Sequence, residues 1–346
     1  FLDYDEDDKS NCENKIFLDS NFKSKNNVLN ICLVGTSSFA QGVHLPNIAK
    51  LKDKFKLRAV MTKTPSNSLS VSKRYSAEYC TCDYNEILKD ENIDLILIAN
   101  RPNLHGSMVL KALESNKNVF VEKPLTIFAA ELKQIKKILK NSSNLLMVGF
   151  NRRFSPPIKK LKSLLKNNNS PIIINYSMNA GFFDRSHWMQ GKENGSRNLS
   201  EACHIYDLFN YLVGSTSLES VSANSINPNN KVWKSNDNFV STIKNRNGSL
   251  CNLIYTSLGS AKYPKERLEI FTEGKVYIME NYLNLKLYNS KMEKLLWSSK
   301  IPQKGQLDEL KALADCLING NKLGLSHDEI IQATEIAFSV EEQIKS

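Results

Sequence analysis

The stretch that decides the fold reads Ile31-Cys32-Leu33-Val34-Gly35-Thr36-Ser37-Ser38-Phe39-Ala40. Four apolar residues of high strand propensity stop at a glycine, and an amphipathic helical pattern starts within a few residues. A short apolar run without alternation is a strand buried on both faces, as in a parallel sheet. Gly35 supplies the tight turn, small Ser37 lets the backbone approach an anionic ligand, and Ala40 permits close helix–strand packing. Unpaired N–H groups at a helix start, aided by the helix dipole, favour phosphates. The pattern Gly-x-Ser-x-x-Ala is a degenerate form of the dinucleotide-binding fingerprint.

Outward from this stretch the same grammar repeats. Apolar runs at 29–34, 57–61, 95–99, 118–121 and 145–148 alternate with amphipathic patterns at 39–51, 68–75, 104–115 and 127–139. Short strands separated by helices imply right-handed crossovers and a doubly wound parallel sheet of the Rossmann type. After Asn151 the grammar changes. A helix at 156–165 precedes strand patterns at 172–179, 217–223, 239–244, 249–256, 267–272, 275–280 and 283–288. Arg246-Asn247-Gly248 and Glu273-Gly274 are hairpin signals between them. Helices at 201–213, 307–319 and 327–345 complete an α+β domain with a largely antiparallel open sheet and flanking helices. The expected organisation is a polar linker at 1–27, a dinucleotide-binding domain at 28–150 and a substrate-binding domain at 151–346. The closing helices are placed to pack back on the first domain.

The 346 residues are 41% hydrophobic and 24% charged, which excludes collagen-like and wholly disordered chains. The longest apolar run, Leu95-Ile96-Leu97-Ile98-Ala99, falls far short of the ~20 residues that span a bilayer, and no leader pattern is read at the start. No membrane partner is expected. The net charge is +10, but residues 1–20 hold seven acids and two lysines, leaving 44 bases against 29 acids in the remainder. No Arg-rich run interleaved with aromatics accompanies that surplus. Lys-rich helix faces and an anionic small molecule explain it better than nucleic acid. Seven scattered cysteines form no C-x-x-C pair, so free thiols in a reducing cytoplasm, and no metal site, are expected. Phe1 in place of Met and the linker-like opening lead us to expect an N-terminal fusion domain ahead of this chain.

The end of the second strand bears on the cofactor. Sheets that bind NAD commonly place an acid there for the ribose hydroxyls, whereas this chain reads Val60-Met61-Thr62-Lys63-Thr64. A hydroxyl beside a cation suits the 2′-phosphate of NADP better. The alternative is a solvated loop lysine with NAD as cofactor.

The fourth strand runs out as Val119-Phe120-Val121-Glu122-Lys123-Pro124-Leu125. Together with the Gly35 loop, Ala99-Asn100-Arg101-Pro102-Asn103-Leu104-His105 and Val148-Gly149-Phe150-Asn151-Arg152-Arg153-Phe154-Ser155-Pro156, this exit resembles the Gfo/Idh/MocA oxidoreductase family. The resemblance covers residues 28–346 and is closest to the branch fused behind a zinc-alcohol-dehydrogenase-like domain in two-part bacterial oxidoreductases. It implies a dinucleotide bound by Gly35, Ser37, Ser38, Phe39, Ala40, Thr62, Lys63, Asn100, Pro102, His105, Glu122 and Lys123. It further implies that Lys123 reaches the nicotinamide ribose and the reacting hydroxyl. A lysine beside a cationic nicotinamide has its charged form disfavoured, which suits proton exchange.

The second element is Asn198-Leu199-Ser200-Glu201-Ala202-Cys203-His204-Ile205-Tyr206-Asp207. Ala202, Ile205, Leu208, Phe209 and Leu212 make the apolar face of a helix, with His204 off its centre. Histidine titrates near neutrality and can take a hydroxyl proton as hydride departs, and the resemblance makes His204 the partner of Lys123. Where the family usually carries Asp, four residues before this histidine, the chain has Ser200. Glu201 and Asp207, three residues to either side, are the candidates to replace it. Asn151, Arg152, Asn179, His187, Trp188 and Glu201 are expected around the substrate, because Trp stacks on sugar faces while amides and Arg bind hydroxyls or phosphate. The polar stretch 191–197 is expected to be a mobile flap.

The expected function is NAD(P)-dependent hydride transfer on a secondary alcohol or ketone of a sugar, sugar nucleotide or polyol. The alternatives are a transient-redox enzyme such as an NAD-dependent glycosidase, and a non-catalytic dinucleotide-binding regulator. The expected partner is a small carbohydrate-like molecule, and the resemblance, with the open sheet of the second domain, implies a homo-oligomer.

Overall fold

The structure is a computed structural model that describes residues 15–18, 27–168, 170–214, 218–229 and 232–344. Up to Ala99 these residues pack as one compact unit, and from Asn100 as a second.

The first unit contains strands β1 (Lys15–Phe17), β2 (Leu29–Val34), β3 (Phe55–Met61), β4 (Tyr79–Thr81) and β5 (Leu95–Ile98), with helices α1 (Leu45–Lys50), α2 (Pro65–Arg74) and α3 (Tyr84–Lys89). The strands β4, β3, β2 and β5 pair in parallel in that order. Every residue of β2 and β5 is buried, as the uninterrupted apolar runs demand of strands covered on both faces. The helix expected at 39–51 is divided. Residues Ala40–His44 form a wide π-type turn, and α1 follows with Pro46 in its first turn, where a missing N–H leaves no bond unmade.

Part of the segment read as linker is ordered. Lys15–Phe17 pairs antiparallel with β4, its Phe17 ring 5.7 Å from the Tyr79 ring and Lys15 Nζ 3.9 Å over the latter. Three residues without a continuous apolar run give no strand signal, and β4 went unread for the same reason. The pair Arg58–Asp90 (2.8 Å) and the Tyr79 hydroxyl donating to Asp90 (2.8 Å) tie β3, β4 and the end of α3 together.

The second unit opens with α4 (His105–Glu114), β6 (Asn118–Val121), α5 (Ala129–Leu139) and β7 (Leu146–Val148), and β6 and β7 again pair in parallel. Next come α6 (Pro156–Leu164), β8 (Ile173–Asn179), α7 (Cys203–Val213), β9 (Leu218–Ser225), β10 (Phe239–Asn245) and β11 (Leu250–Thr256). The chain continues through β12 (Glu266–Thr272), β13 (Lys275–Glu280), β14 (Asn284–Tyr288), β15 (Glu293–Ser298), α8 (Gln306–Asn319) and α9 (His327–Ile344). Strands β8 to β15 form one sheet in the order β15-β14-β13-β12-β8-β11-β10-β9. Only the β8–β11 pairing is parallel, so the sheet is largely antiparallel as expected. Alternate residues of β10 and β12 are buried, the mark of a sheet with one face on the core and one towards solvent.

Glu273 and Gly274, at φ of 45° and 70°, make the expected tight hairpin between β12 and β13. Strand β15 went unread in the sequence because its charged start (Glu293, Lys294) masks the pattern. The helix expected from Glu201 begins as a wide turn at Asn198–Ala202 before α7 proper. Cys32, Cys80, Cys82, Cys203, Cys251 and Cys316 carry free thiols. Among the described residues no helix is long and apolar enough to cross a membrane.

Candidate active site

In the first unit, β2 leads into the loop singled out by the sequence. Gly35 has φ of +89°, a conformation that a side chain would strain, and its N–H donates to the Met61 carbonyl at 2.8 Å. Ser37 stabilises the turn from both ends. Its hydroxyl accepts from the Ala40 N–H at 3.2 Å and its carbonyl from the Gln41 N–H at 3.0 Å. Ser37, Ser38 and Phe39 are exposed while Ala40 is buried. A turn that exposes small Ser37 and Ser38 between a positive-φ glycine and a packed alanine fits a phosphate-bearing ligand. At the end of β3, Thr62 is buried and its hydroxyl donates to the Thr64 carbonyl at 2.7 Å. Lys63 beside it is exposed.

The second unit assembles the residues with chemistry. Lys123 leaves β6 with its own N–H donating to Glu122 Oε2 at 3.1 Å, and its Nζ donates to the Ser200 carbonyl at 2.7 Å. Two elements 77 positions apart thereby meet. Glu122 is buried, and a Cβ on Gly149 would stand 3.0 Å from its Oε1. Ser200 is followed by Glu201, then by α7 with His204 in its first turn. The Ser200 hydroxyl donates back to the Ser196 carbonyl at 2.9 Å and does nothing for the histidine.

His204 is buried, edge-on to Phe150 with ring centroids 6.1 Å apart. Its Nδ1 has no hydrogen-bond partner among the described residues. Burial, then the positive charges of Arg152, Lys123, Lys304 and Lys265, hold its pKa well below the ordinary 6.5. The ring is therefore a neutral imidazole at neutral pH.

The two acids offered as substitutes for the absent Asp part company. Asp207 is buried and bound by Arg153 through two bonds, at 2.6 and 2.9 Å. Glu201 accepts from the Tyr255 hydroxyl, from Lys265 Nζ at 3.1 Å and from Arg197 Nη2 at 3.4 Å. Burial opposes its charge, but Lys265, Lys123, Tyr255 and Arg197 outweigh it and hold the carboxyl at about 2. A permanent carboxylate thus lies within the electrostatic reach of Lys123.

The remaining expected residues divide. Asn179 ends β8, its Nδ2 donating to the Ser260 carbonyl at 2.8 Å while its buried Oδ1 has no partner among the described residues. His187 stacks on Phe183 (4.3 Å) and leans on Trp188 (5.8 Å), whose ring is 67% exposed. Arg152 and Asn151 are committed to structure. Arg152 binds Glu266 at 2.8 and 3.2 Å, and Asn151 donates to the Lys304 carbonyl at 2.8 Å. His105 and Asn100 are committed too. The ring nitrogens of His105 lie against the Pro124 and Asn100 carbonyls, and Asn100 Nδ2 contacts Met108 Sδ at 2.9 Å. Pro102 begins the single turn ahead of α4.

The stretch expected to be a flap is anchored through Asn194, Arg197 and Glu193. Asn194 donates to the Trp188 carbonyl at 2.6 Å, Arg197 donates to the Gly181 and Ala180 carbonyls, and Glu193 pairs with Arg101. Tyr255, Lys265 and Arg197 were not foreseen, because nothing within β11 or before β12 marks them apart from ordinary strand and loop residues.

Residues 29–150 match the family model described as "Oxidoreductase family, NAD-binding Rossmann fold", GFO_IDH_MocA. The chain is 27% identical to the uncharacterised oxidoreductase YrbE of Bacillus subtilis (strain 168) over 235 residues, which is 67% of this chain and 68% of that one. It is 33% identical to scyllo-inositol 2-dehydrogenase (NAD(+)) of the same strain over 110 residues, 32% of either chain. A levoglucosan dehydrogenase solved in complex with NADH and levoglucosan superposes with a TM-score of 0.78 at 18% identity, covering 91% of this chain and 97% of that one. An NAD binding oxidoreductase from Klebsiella pneumoniae gives 0.82 at 17% identity, covering 93% and 98%. These last two likenesses concern the fold. The matched segment, residues 29–150, holds the Glu122-Lys123-Pro124 strand exit and is what this chain shares with the Gfo/Idh/MocA oxidoreductase family model.

Proposed function

We propose that this chain moves a hydride between nicotinamide and a secondary alcohol or ketone of a sugar or polyol. The observation that carries this reading is Lys123. It is fixed at a strand exit through its own N–H, and its Nζ is held at the start of the segment that bears His204. The dinucleotide, when bound, supplies the hydride acceptor or donor. The Gly35–Ala40 loop would hold its phosphates, and Lys63 beside Thr62 favours a 2′-phosphate and hence NADP.

In the alcohol-oxidising direction, the hydroxyl proton passes to the neutral His204 ring while the Lys123 ammonium stabilises charge growing on the oxygen. In the reverse direction the same groups return the proton. Glu201 supplies the fixed negative charge that Ser200 lacks. It acts on Lys123 rather than on the imidazole, so the histidine stays unbraced. The partnerless Oδ1 of Asn179 and the exposed Trp188 ring suit a substrate hydroxyl and a sugar face. The relatives named for scyllo-inositol and levoglucosan support a polyhydroxylated ring as substrate.

Lys123→Ala tests the reading. Loss of ~10²–10⁴-fold in kcat on a panel of cyclitols and sugars is expected, with NADPH affinity by fluorescence titration retained. Unchanged turnover would remove Lys123 from the chemistry.

A further inference from the structure

His105 opens α4 and is fully buried. Its Nδ1 lies 2.7 Å from the Pro124 carbonyl oxygen and its Nε2 3.2 Å from that of Asn100. Two acceptors face a ring that has a single N–H when neutral. Burial lowers its pKa, and the two carbonyls oppose that only in part. The proton therefore resides on the nitrogen with the shorter contact, and Nδ1–H donates to Pro124. Pro124 is the residue directly after Lys123.

The neighbouring contacts show that α4 is built to grip this loop. A Cβ on Gly106 would stand 2.0 Å from Glu131 Oε2 and 2.8 Å from Thr126 Oγ1, so any side chain there would displace the Glu131 carboxylate from Thr126. Thr126 Oγ1 donates to Glu131 and accepts from the Phe128 N–H at 3.0 Å, which closes the turn beyond Lys123. On the other flank, Glu122 receives the Lys123 N–H at 3.1 Å. The loop is held on both sides of the lysine, and His105 is the side-chain donor on the far side.

We propose that His105 is a positioning residue: its Nδ1–H fixes the Pro124 carbonyl and, through the adjoining backbone, sets where the Lys123 ammonium stands. This rests on the reading of Lys123 as the proton-handling lysine. It replaces the expectation that His105 touches the cofactor, since both ring nitrogens face backbone. A reacting group displaced by a fraction of its hydrogen-bond length loses much of its effect, so a buried donor two bonds from the critical backbone is a sensitive control point.

The test reads Lys123 directly and needs no substrate. The full-length chain is acylated with limiting acetic anhydride across a pH series, and modification of Lys123 and Lys265 is followed by mass spectrometry. His105→Phe keeps the ring volume without the donor, and His105→Asn places an amide N–H near the position of Nδ1. In His105→Phe the acylation rate at Lys123 should change by roughly fivefold or more across the series. Lys265 should not change, and His105→Asn should restore Lys123 to within about twofold of wild type.

If His105→Phe does not fold, His105→Gln, whose amide sits one methylene further out, takes its place in the same comparison with His105→Asn. A folded variant with Lys123 reactivity unchanged, or with Lys123 and Lys265 altered alike, overturns the proposal. Full turnover in Lys123→Ala would instead defeat the functional reading, and the acylation result would still decide whether His105 controls the lysine.

Discussion

Two charged clusters of the second unit are built from similar residues and do opposite things. Arg152, Arg153, Asp207 and Glu266 leave no buried side-chain polar atom without a partner among the described residues, although the nearby buried Glu309 carboxyl group has none. Arg153 reaches Asp207 through two bonds, the Gly324 carbonyl at 2.8 Å and Glu329 at 3.2 Å, and neither Arg153 nor Asp207 has any exposed side-chain surface. Glu266 receives Arg152, Lys304 at 2.6 Å and the Tyr176 hydroxyl at 2.6 Å. Around Lys123 and His204 saturation is incomplete. His204 Nδ1 and Asn179 Oδ1 have no partners among the described residues, and the side chain of Lys265 is 47% exposed. A saturated polar cluster cannot accept a ligand without breaking bonds it already has. An unsaturated one carries the desolvation penalty of its orphaned atoms, which a bound substrate can relieve. Degree of satisfaction, more than residue type, is what distinguishes the paired arginines from the groups around Lys123 and His204.

That contrast can be broken most severely at Arg153. Arg153→Leu leaves Asp207 buried without its cation and should lower unfolding free energy by about 3–5 kcal/mol in urea melts, while the folded fraction keeps its turnover. A stable variant that loses turnover would place Arg153 in the site instead. Glu201→Gln should do the reverse. Removing the fixed negative charge near Lys123 should lower kcat about tenfold while the urea midpoint stays near wild type. A urea midpoint lowered as far as in Arg153→Leu would erase the distinction.

The pH dependence of stability sharpens the comparison further. His204 stays neutral in the folded protein, whereas the unfolded chain takes up a proton below about pH 6.5. The unfolded state then binds more protons, so this residue makes stability fall as pH drops below that value, by at most about 1.4 kcal/mol per pH unit. His204→Asn should remove that part of the slope, readable as converging urea midpoints of the two proteins between pH 7 and pH 5. Parallel curves would mean that the ring takes up its proton alike in the folded and unfolded states, contrary to its burial. The smallest effect belongs to Lys265→Met. Half in solvent, its pairing with Glu201 should contribute within about 1 kcal/mol, and kcat/KM should change only a few-fold.

Much of the parallel half was legible because β2 and β5 are continuous apolar runs and the Gly35 turn follows at once. The hairpin at Glu273-Gly274 was legible for the same local reason. Strands β1 and β4 are three residues each and lack a continuous apolar run, so they went unread, whereas the equally short β7 was legible within the apolar run 145–148. The wide turns at Ala40–His44 and Asn198–Ala202 share their composition with ordinary helix. At the site, Lys123 and His204 stood out through motif and helix position. Arg152 stood out by the same kind of signal, but its buried partner Glu266, 114 positions on, left no mark in the local sequence.

The sequence by itself determined the strand–helix alternation, the glycine turn and the strand exit that presents a lysine, since each depends on neighbours within a few residues. Only the tertiary structure decided which acid stands by that lysine, that Asp207 is sealed away by Arg153, and that His105 faces backbone carbonyls. Those outcomes depend on which distant groups satisfy one another once water is excluded, and pairing between distant residues leaves no mark on local pattern.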